Sequence, residues 1–116
     1  MKVTEKSREF SKVEEYLLTI SKNAHSLKDV PDNTAIPVNG YLVYEDVNSR
    51  GEEVEILSII TTDNEVYSTQ SATFKKSFKD MFSMLDGIEF SLIKVSGTTK
   101  AGRPYIDCIL DTTSVK

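Results

Sequence analysis

The sequence predicts a mainly β domain: a five-stranded barrel with one core helix, in the element order α-β-β-β-α-β-β. Three observations carry that prediction. Large apolar residues recur at helical spacing in mid-chain, at Phe74, Phe78, Met81, Phe82 and Leu85. Segments of two-residue alternation lie on both sides of that stripe. Clusters of turn-forming residues at 48–51, 62–64 and 98–103 divide those segments into three strands before the helix and two after it.

In chain order, residues 1–9 read as a mixed-charge arm. Ser11 and Glu14 have the spacing of a capping box, and Val13, Tyr16, Leu17 and Ile20 then make a short apolar stripe. A first helix is expected there, ending near Ser21 or Lys22. Residues 23–36, with Pro31 and several turn-formers, read as an ordered connection. From Pro37 the period becomes two, and VNGYLVYEDV is the first strand, with Asn39-Gly40 expected to form a bulge.

EVEILSIITT is the second strand. Its near-continuous apolar end, Ile56, Leu57, Ile59 and Ile60, predicts burial on both faces. EVYST is the third. Ser71 then supplies an N-cap for the core helix and Asp86-Gly87 its stop, with Lys75, Lys76, Lys79 and Asp80 on a solvated face. IEFSLIKVSG is the fourth strand and PYIDCILD the fifth, with Ile106, Cys108 and Leu110 inward and Tyr105, Asp107 and Asp111 outward. Residues 112–116 read as a loose tail. The expectation is one domain over 1–116, with a helical arm over about 1–22. Its element order is that of the OB-fold, a Greek-key barrel with a helix between the third and fourth strands.

Composition narrows the function. Charged residues make up 28% and hydrophobic ones 39% of 116 residues, an ordinary balance for one globular domain. No apolar run approaches the roughly 20 residues that cross a bilayer. The polar MKVTEKSREF start lacks the apolar segment of a secretory signal, so a cytoplasmic, membrane-free protein is expected. Cys108 is the single cysteine, which rules out an internal disulfide and a thiolate metal cluster. His25 is the single histidine, with no acid or nucleophile at a catalytic spacing. Asp107 and Asp111 are too far apart along a strand for tight coupling. No phosphate-binding loop, dinucleotide fingerprint, zinc spacing or calcium loop is present. A non-enzymatic protein with no cofactor and no metal is expected.

Charge is unevenly spread despite a net −4. Residues 45–55 hold Glu45, Asp46, Glu52, Glu53 and Glu55 against Arg50 alone, whereas 90–106 hold Lys94, Lys100 and Arg103 with no acid. An OB barrel binds ligands across its second and third strands, between the loops joining strands one to two and four to five. The second of those loops carries Lys100 and Arg103, with Lys94 entering it and Tyr105 leaving it. Cations that track phosphates beside a ring that stacks on bases suit single-stranded nucleic acid. Tyr44 and Tyr67 are further stacking candidates and Arg50 a further phosphate contact. Tyr41 and Tyr44 are three apart, so one should face the core and the other solvent. Tyr67 should lie on the outer face if Val66 is core.

The stretches SREFSKVEEYLLT, EILSIITTDNEVYSTQSATFKKSF and IKVSGTTKAGRPYIDCILD resemble small single-stranded-DNA-binding proteins encoded by phages of Gram-positive bacteria. That resemblance implies an OB-like fold and non-sequence-specific DNA binding in phage replication or recombination, in the host cytoplasm. With no Trp and a modest aromatic supply, weak binding per monomer offset by self-association is expected, with replication or recombination proteins as further expected partners. Its binding residues would be drawn from Tyr44, Tyr67, Lys94, Lys100, Arg103 and Tyr105. The alternative is a protein-interaction adaptor whose first helix docks through Tyr16, Leu17 and Ile20, a reading that the acidic first hairpin and the negative net charge favour.

Overall fold

The computed structural model describes residues 1–115. The mid-chain stripe forms the longer of two helices, α2 (Ala72–Leu85), as its spacing predicts. The Ser71 hydroxyl accepts from the Phe74 N–H at its start. Asp86, at φ 43°, and Gly87, at φ 89°, turn the chain out of it. Phe74, Phe78, Met81 and Leu85 are buried along one face. The shorter helix, α1 (Lys12–Thr19), opens with the expected capping box, Ser11 and Glu14 each satisfying the other's backbone N–H.

Among the described residues, eight strands surround these helices: β1 (Lys2–Lys6), β2 (His25–Ser26), β3 (Ala35–Val38), β4 (Gly40–Val47), β5 (Glu53–Ile60), β6 (Val66–Thr69), β7 (Phe90–Thr98) and β8 (Pro104–Asp111). They form two sheets, ordered β1-β4-β5-β6-β2 and β3-β7-β8. The five expected strands are present as β4 to β8. Residues 1–9 are not a loose arm, because β1 pairs antiparallel with β4. The Thr4 hydroxyl donates to the Val43 carbonyl and the Tyr41 hydroxyl to the Glu5 carboxylate. Nor is 23–36 only a connection: β2 lies parallel to β6 and β3 pairs antiparallel with β7.

Asn39 is a change of sheet, not a bulge. The extended segment before it pairs with β7 and the segment after it with β5. One continuous run of chain thus belongs to both sheets. Residues 112–114 are a capped single turn rather than a loose tail, with the Ser114 hydroxyl accepting from the Ser91 N–H. Lys116 lies outside the described residues.

The two faces of the larger sheet bury different clusters. Tyr41, Val43, Leu57 and Ile59 face α2 and the second sheet, where Phe90, Leu92 and Cys108 complete the main core. Leu42, Tyr44, Ile60 and Val66 face the other way and are covered by Phe10 and by Leu18 of α1. Tyr41 and Tyr44 do point to opposite faces, yet both are buried, at 8% and 7% exposure. The expectation that one is exposed fails because α1 covers the second face. The helix does so with Leu18, leaving Val13, Tyr16 and Ile20 outward. The helix lysines are partly tied down too: Lys75 donates to the Glu55 carbonyl and Lys79 pairs with Glu5.

Truncating a ring at the centre of this packing should be costly. Phe78→Ala is expected to lower unfolding free energy by about 3–5 kcal/mol, against less than about 0.5 for exposed Met84→Ala. Chemical denaturation of both variants measures the difference. Arg8 and the Ser11 N–H hold the Glu14 carboxyl at about 2, below its ordinary 4.5. Its depressed value means the cap stabilises fully above about pH 4.5 and is lost as pH falls toward 2. Amide chemical shifts of residues 11–15 should report that loosening in the native chain, and Glu14→Gln should remove their pH dependence.

Candidate functional site

The two sheets meet along β6 and β8 without a hydrogen-bonded ladder between those strands. Part of the β6 edge is already taken by β2, whose His25 and Ser26 register with Tyr67 and Ser68. Nearer α2, the Ser71 hydroxyl reaches the Ile106 carbonyl at 3.5 Å. A groove of about 790 Å³ opens at this seam. Ser26 and Lys28 line one side, and residues 68–71 at the end of β6 form its lip. Tyr44 and Ile56 contribute from the larger sheet, Lys94 and Ser96 from β7, and residues 104–106 from β8. No aspartate or glutamate is on this lining, in a chain with 18 acids and 14 basic residues.

The groove floor is rich in hydroxyls. Ser26, Ser68, Thr69, Ser71 and Ser96 line it, and Ser58 registers with Ser68 from β5 but lies beneath the lining. The Ser58 hydroxyl is fully buried and has no hydrogen-bond partner among the described residues. Lys28, exposed at the rim, was not singled out by the sequence. It stands in an aperiodic connection, and only the parallel docking of β2 on β6 brings it to the groove.

The structure divides the residues expected to bind. Tyr105 begins the β8 wall and is 40% exposed. Its ring lies over its cross-strand partner Gly97, so close that a Cβ there would sit 2.6 Å from the phenol oxygen. A missing side chain thus seats an exposed ring. Lys100 and Arg103 stand on the β7–β8 loop that leads into the same wall. Both are exposed and in no ion pair among the described residues. That loop is held by Thr99, whose N–H donates to the Arg103 carbonyl and whose hydroxyl accepts from the Arg103 N–H.

The remaining candidates are placed differently. Lys94 lines the groove with a side chain only 5% exposed, and its Nζ is bound to the Val30 carbonyl at 2.7 Å and to Asp32 at 3.1 Å. The Ser96 hydroxyl and Lys94 hold the Asp32 carboxyl below its ordinary range. This lysine is a clamp between β7 and the 30–32 segment, with its charge already matched. The Tyr44 ring is buried beneath α1, and its hydroxyl donates to the Thr19 carbonyl at 3.2 Å. Burial, with Asp46 nearby, pushes that phenol up. Tyr67 turns toward the main core, not outward, because β6 puts Val66 under α1 instead. Its ring packs on His25 at 5.0 Å, and His25 in turn meets Glu65 at 2.8 Å. Arg50 sits at the tip of the β4–β5 hairpin beside Glu52 and Glu53, and the groove lining does not include it.

Among the described residues, no three of His, Cys, Asp and Glu are grouped to hold a metal. Cys108 is buried against the Phe74 carbonyl, and burial pushes its thiol up to about 12. No described helix is long and apolar enough to cross a membrane. Comparison with protein-family models, with curated proteins and with solved structures finds no match to this chain.

The clamp role of Lys94 has a direct check. Lys94→Met is expected to cost about 1.5–3 kcal/mol of stability through lost charge-assisted hydrogen bonds. Denaturant unfolding measures it, and an unchanged midpoint would refute the clamp.

Proposed function

We propose that this protein is a non-enzymatic single-stranded-DNA-binding protein, built as a partly open OB-like barrel whose seam is the binding groove. One observation carries the reading. An acid-free groove, in a chain of net charge −4, has an exposed tyrosine in its wall and cations at its rim and on the adjoining loop. The strand neighbours support the barrel: the 35–47 segment pairs with both the second and the fourth of the expected strands. The groove's position supports the ligand, since an OB barrel binds across strands two and three beside the four-to-five loop.

In this mechanism Lys28, Lys100 and Arg103 neutralise phosphates, and Tyr105 offers a face for one base. Tyr44, Tyr67 and Lys94 act through packing, and Arg50 makes no contact. A duplex cannot present a base face to Tyr105, so unpaired strands are preferred. Keeping a strand unpaired serves replication or recombination, the role implied by resemblance to the phage proteins, in the host cytoplasm and without cofactor or metal.

A second reading is favoured by a different observation. Val13, Tyr16 and Ile20 leave 69%, 49% and 66% of their surfaces exposed on one side of α1, as a helix that docks on another protein would. In that adaptor reading DNA is not the ligand.

Fluorescence anisotropy with labelled oligo-dT, titrated at two salt concentrations with duplex as competitor, separates the readings. Binding should weaken with salt, and Lys100→Ala with Arg103→Ala should reduce the log–log slope by about 1.4, two phosphate contacts at about 0.7 each. Tyr105→Ala should cost about 1–3 kcal/mol of affinity. Gly97→Ala should also weaken binding, by displacing that ring while the fold persists. Affinity that is unaffected by salt and by these variants would leave the adaptor reading. Tyr16→Glu with Ile20→Glu should leave DNA affinity unchanged.

A further inference from the structure

The two long hairpins of this protein end in the same turn with opposite charge. In the β4–β5 hairpin the Asn48 N–H donates to the Glu52 carbonyl, the Gly51 N–H returns to the Asn48 carbonyl, and the Asn48 side chain accepts from the Glu52 N–H. In the β7–β8 hairpin the Thr99 N–H donates to the Arg103 carbonyl, the Gly102 N–H returns to the Thr99 carbonyl, and the Thr99 hydroxyl accepts from the Arg103 N–H. Gly51 and Gly102 adopt φ of 80° and 82°, the left-handed position this turn requires. Both tips are therefore preformed, and charges carried on them are held out from the body at fixed positions.

The first tip leads into Glu52 and Glu53, exposed and in no ion pair among the described residues, beside Val47 at 59% exposure. Arg50 is its one countercharge. The second carries Lys100 and Arg103, equally unpaired, and runs into the 40%-exposed Tyr105. Each tip thus combines a net charge of one sign with one uncovered apolar side chain. The complement of each is the other.

We propose that the chain associates head to tail with a second copy of itself, the acidic β4–β5 tip of one copy docking on the basic β7–β8 tip of the next. Two patches on opposite hairpins make a heterologous contact, so association grows with concentration and ends in a ring or continues as a filament according to the rotation between copies. The pairing is between solvent-exposed charges and two small apolar contacts. It is therefore weak and salt-sensitive. It does not rest on the DNA-binding reading, and a strand held at Lys100, Arg103 and Tyr105 would compete with it, so it is tested without nucleic acid.

Sedimentation velocity of the full chain, from low to high micromolar and at about 20 mM and about 500 mM salt, tests it, since the higher salt screens such contacts within about 5 Å. The weight-average sedimentation coefficient should rise with concentration at low salt and stay at the monomer value at high salt. Glu52→Lys with Glu53→Lys should abolish the rise, as should Lys100→Glu with Arg103→Glu. An equimolar mixture of these two variants should restore a complex, because each supplies the end that the other lacks. That restoration also guards against loss by misfolding, which mixing cannot repair. A wild-type chain that is monomeric throughout at low salt would overturn the proposal. So would a mixture that stays monomeric. Association that survives high salt and disappears with Tyr16→Glu and Ile20→Glu would place the contact on α1 instead, and overturn it equally.

Discussion

Four rings hold the two sheets on one helix. Tyr41 meets Phe78 and Phe82 edge-on, at centroid distances of 5.1 and 4.9 Å, and Phe90 closes on both phenylalanines at 6.5 and 6.1 Å. These rings come from β4, from α2 and from β7, one from each part that has to be joined and two from the helix. Edge-to-face contacts of this kind fix orientation as well as burying area. The Tyr41 hydroxyl extends the arrangement outward to Glu5, which Lys79 of α2 also reaches, so the edge strand is tied to the same centre. Because α2 bridges the sheets from below, they need no ladder along β6 and β8. The groove exists because that seam is left open.

Much of this was legible in the sequence, and the reason is local physics. The α2 stripe, its Ser71 cap and the left-handed Asp86-Gly87 exit are signals written within one element. The alternation of β5 and β8, with Cys108 inward and Tyr105 outward, is equally local. What escaped depends on partners distant in the chain. The strand at residues 2–6 is built from charged residues that suit a protected edge, and only β4 makes it a strand. A two-residue strand such as His25–Ser26 has no period to detect. Tyr44 looked exposed because the chain does not announce that Leu18 will cover that face.

The candidate site was half legible for the same reason. Lys100, Arg103 and Tyr105 lie on a hairpin whose tip chemistry is local, and they stay exposed. Lys94 differs from them in nothing visible along the chain. Its charge is consumed by Val30 and Asp32, more than sixty positions away. Tyr67 turned inward because the register of β6 on β5 put Val66 under α1, a choice that alternation alone leaves open. Lys28 reached the groove through tertiary docking. Buried residues obey the packing of the whole. Tips obey their own turns.

The division of charge gives the groove its chemical character. Acids are concentrated on the first hairpin and kept off the groove lining, so a protein of net negative charge has a hydroxyl-lined channel with Lys28 at its rim and a ring in its wall. The most direct test of the central claim is a chemical-shift map of the amide backbone during titration with unlabelled oligo-dT. Shifts concentrated at residues 26–28, 68–71 and 97–106 are predicted, with α1 and the β4–β5 tip unmoved. Shifts confined to the outer side of α1, or none at saturating oligonucleotide, would contradict the assignment of the seam as the binding site.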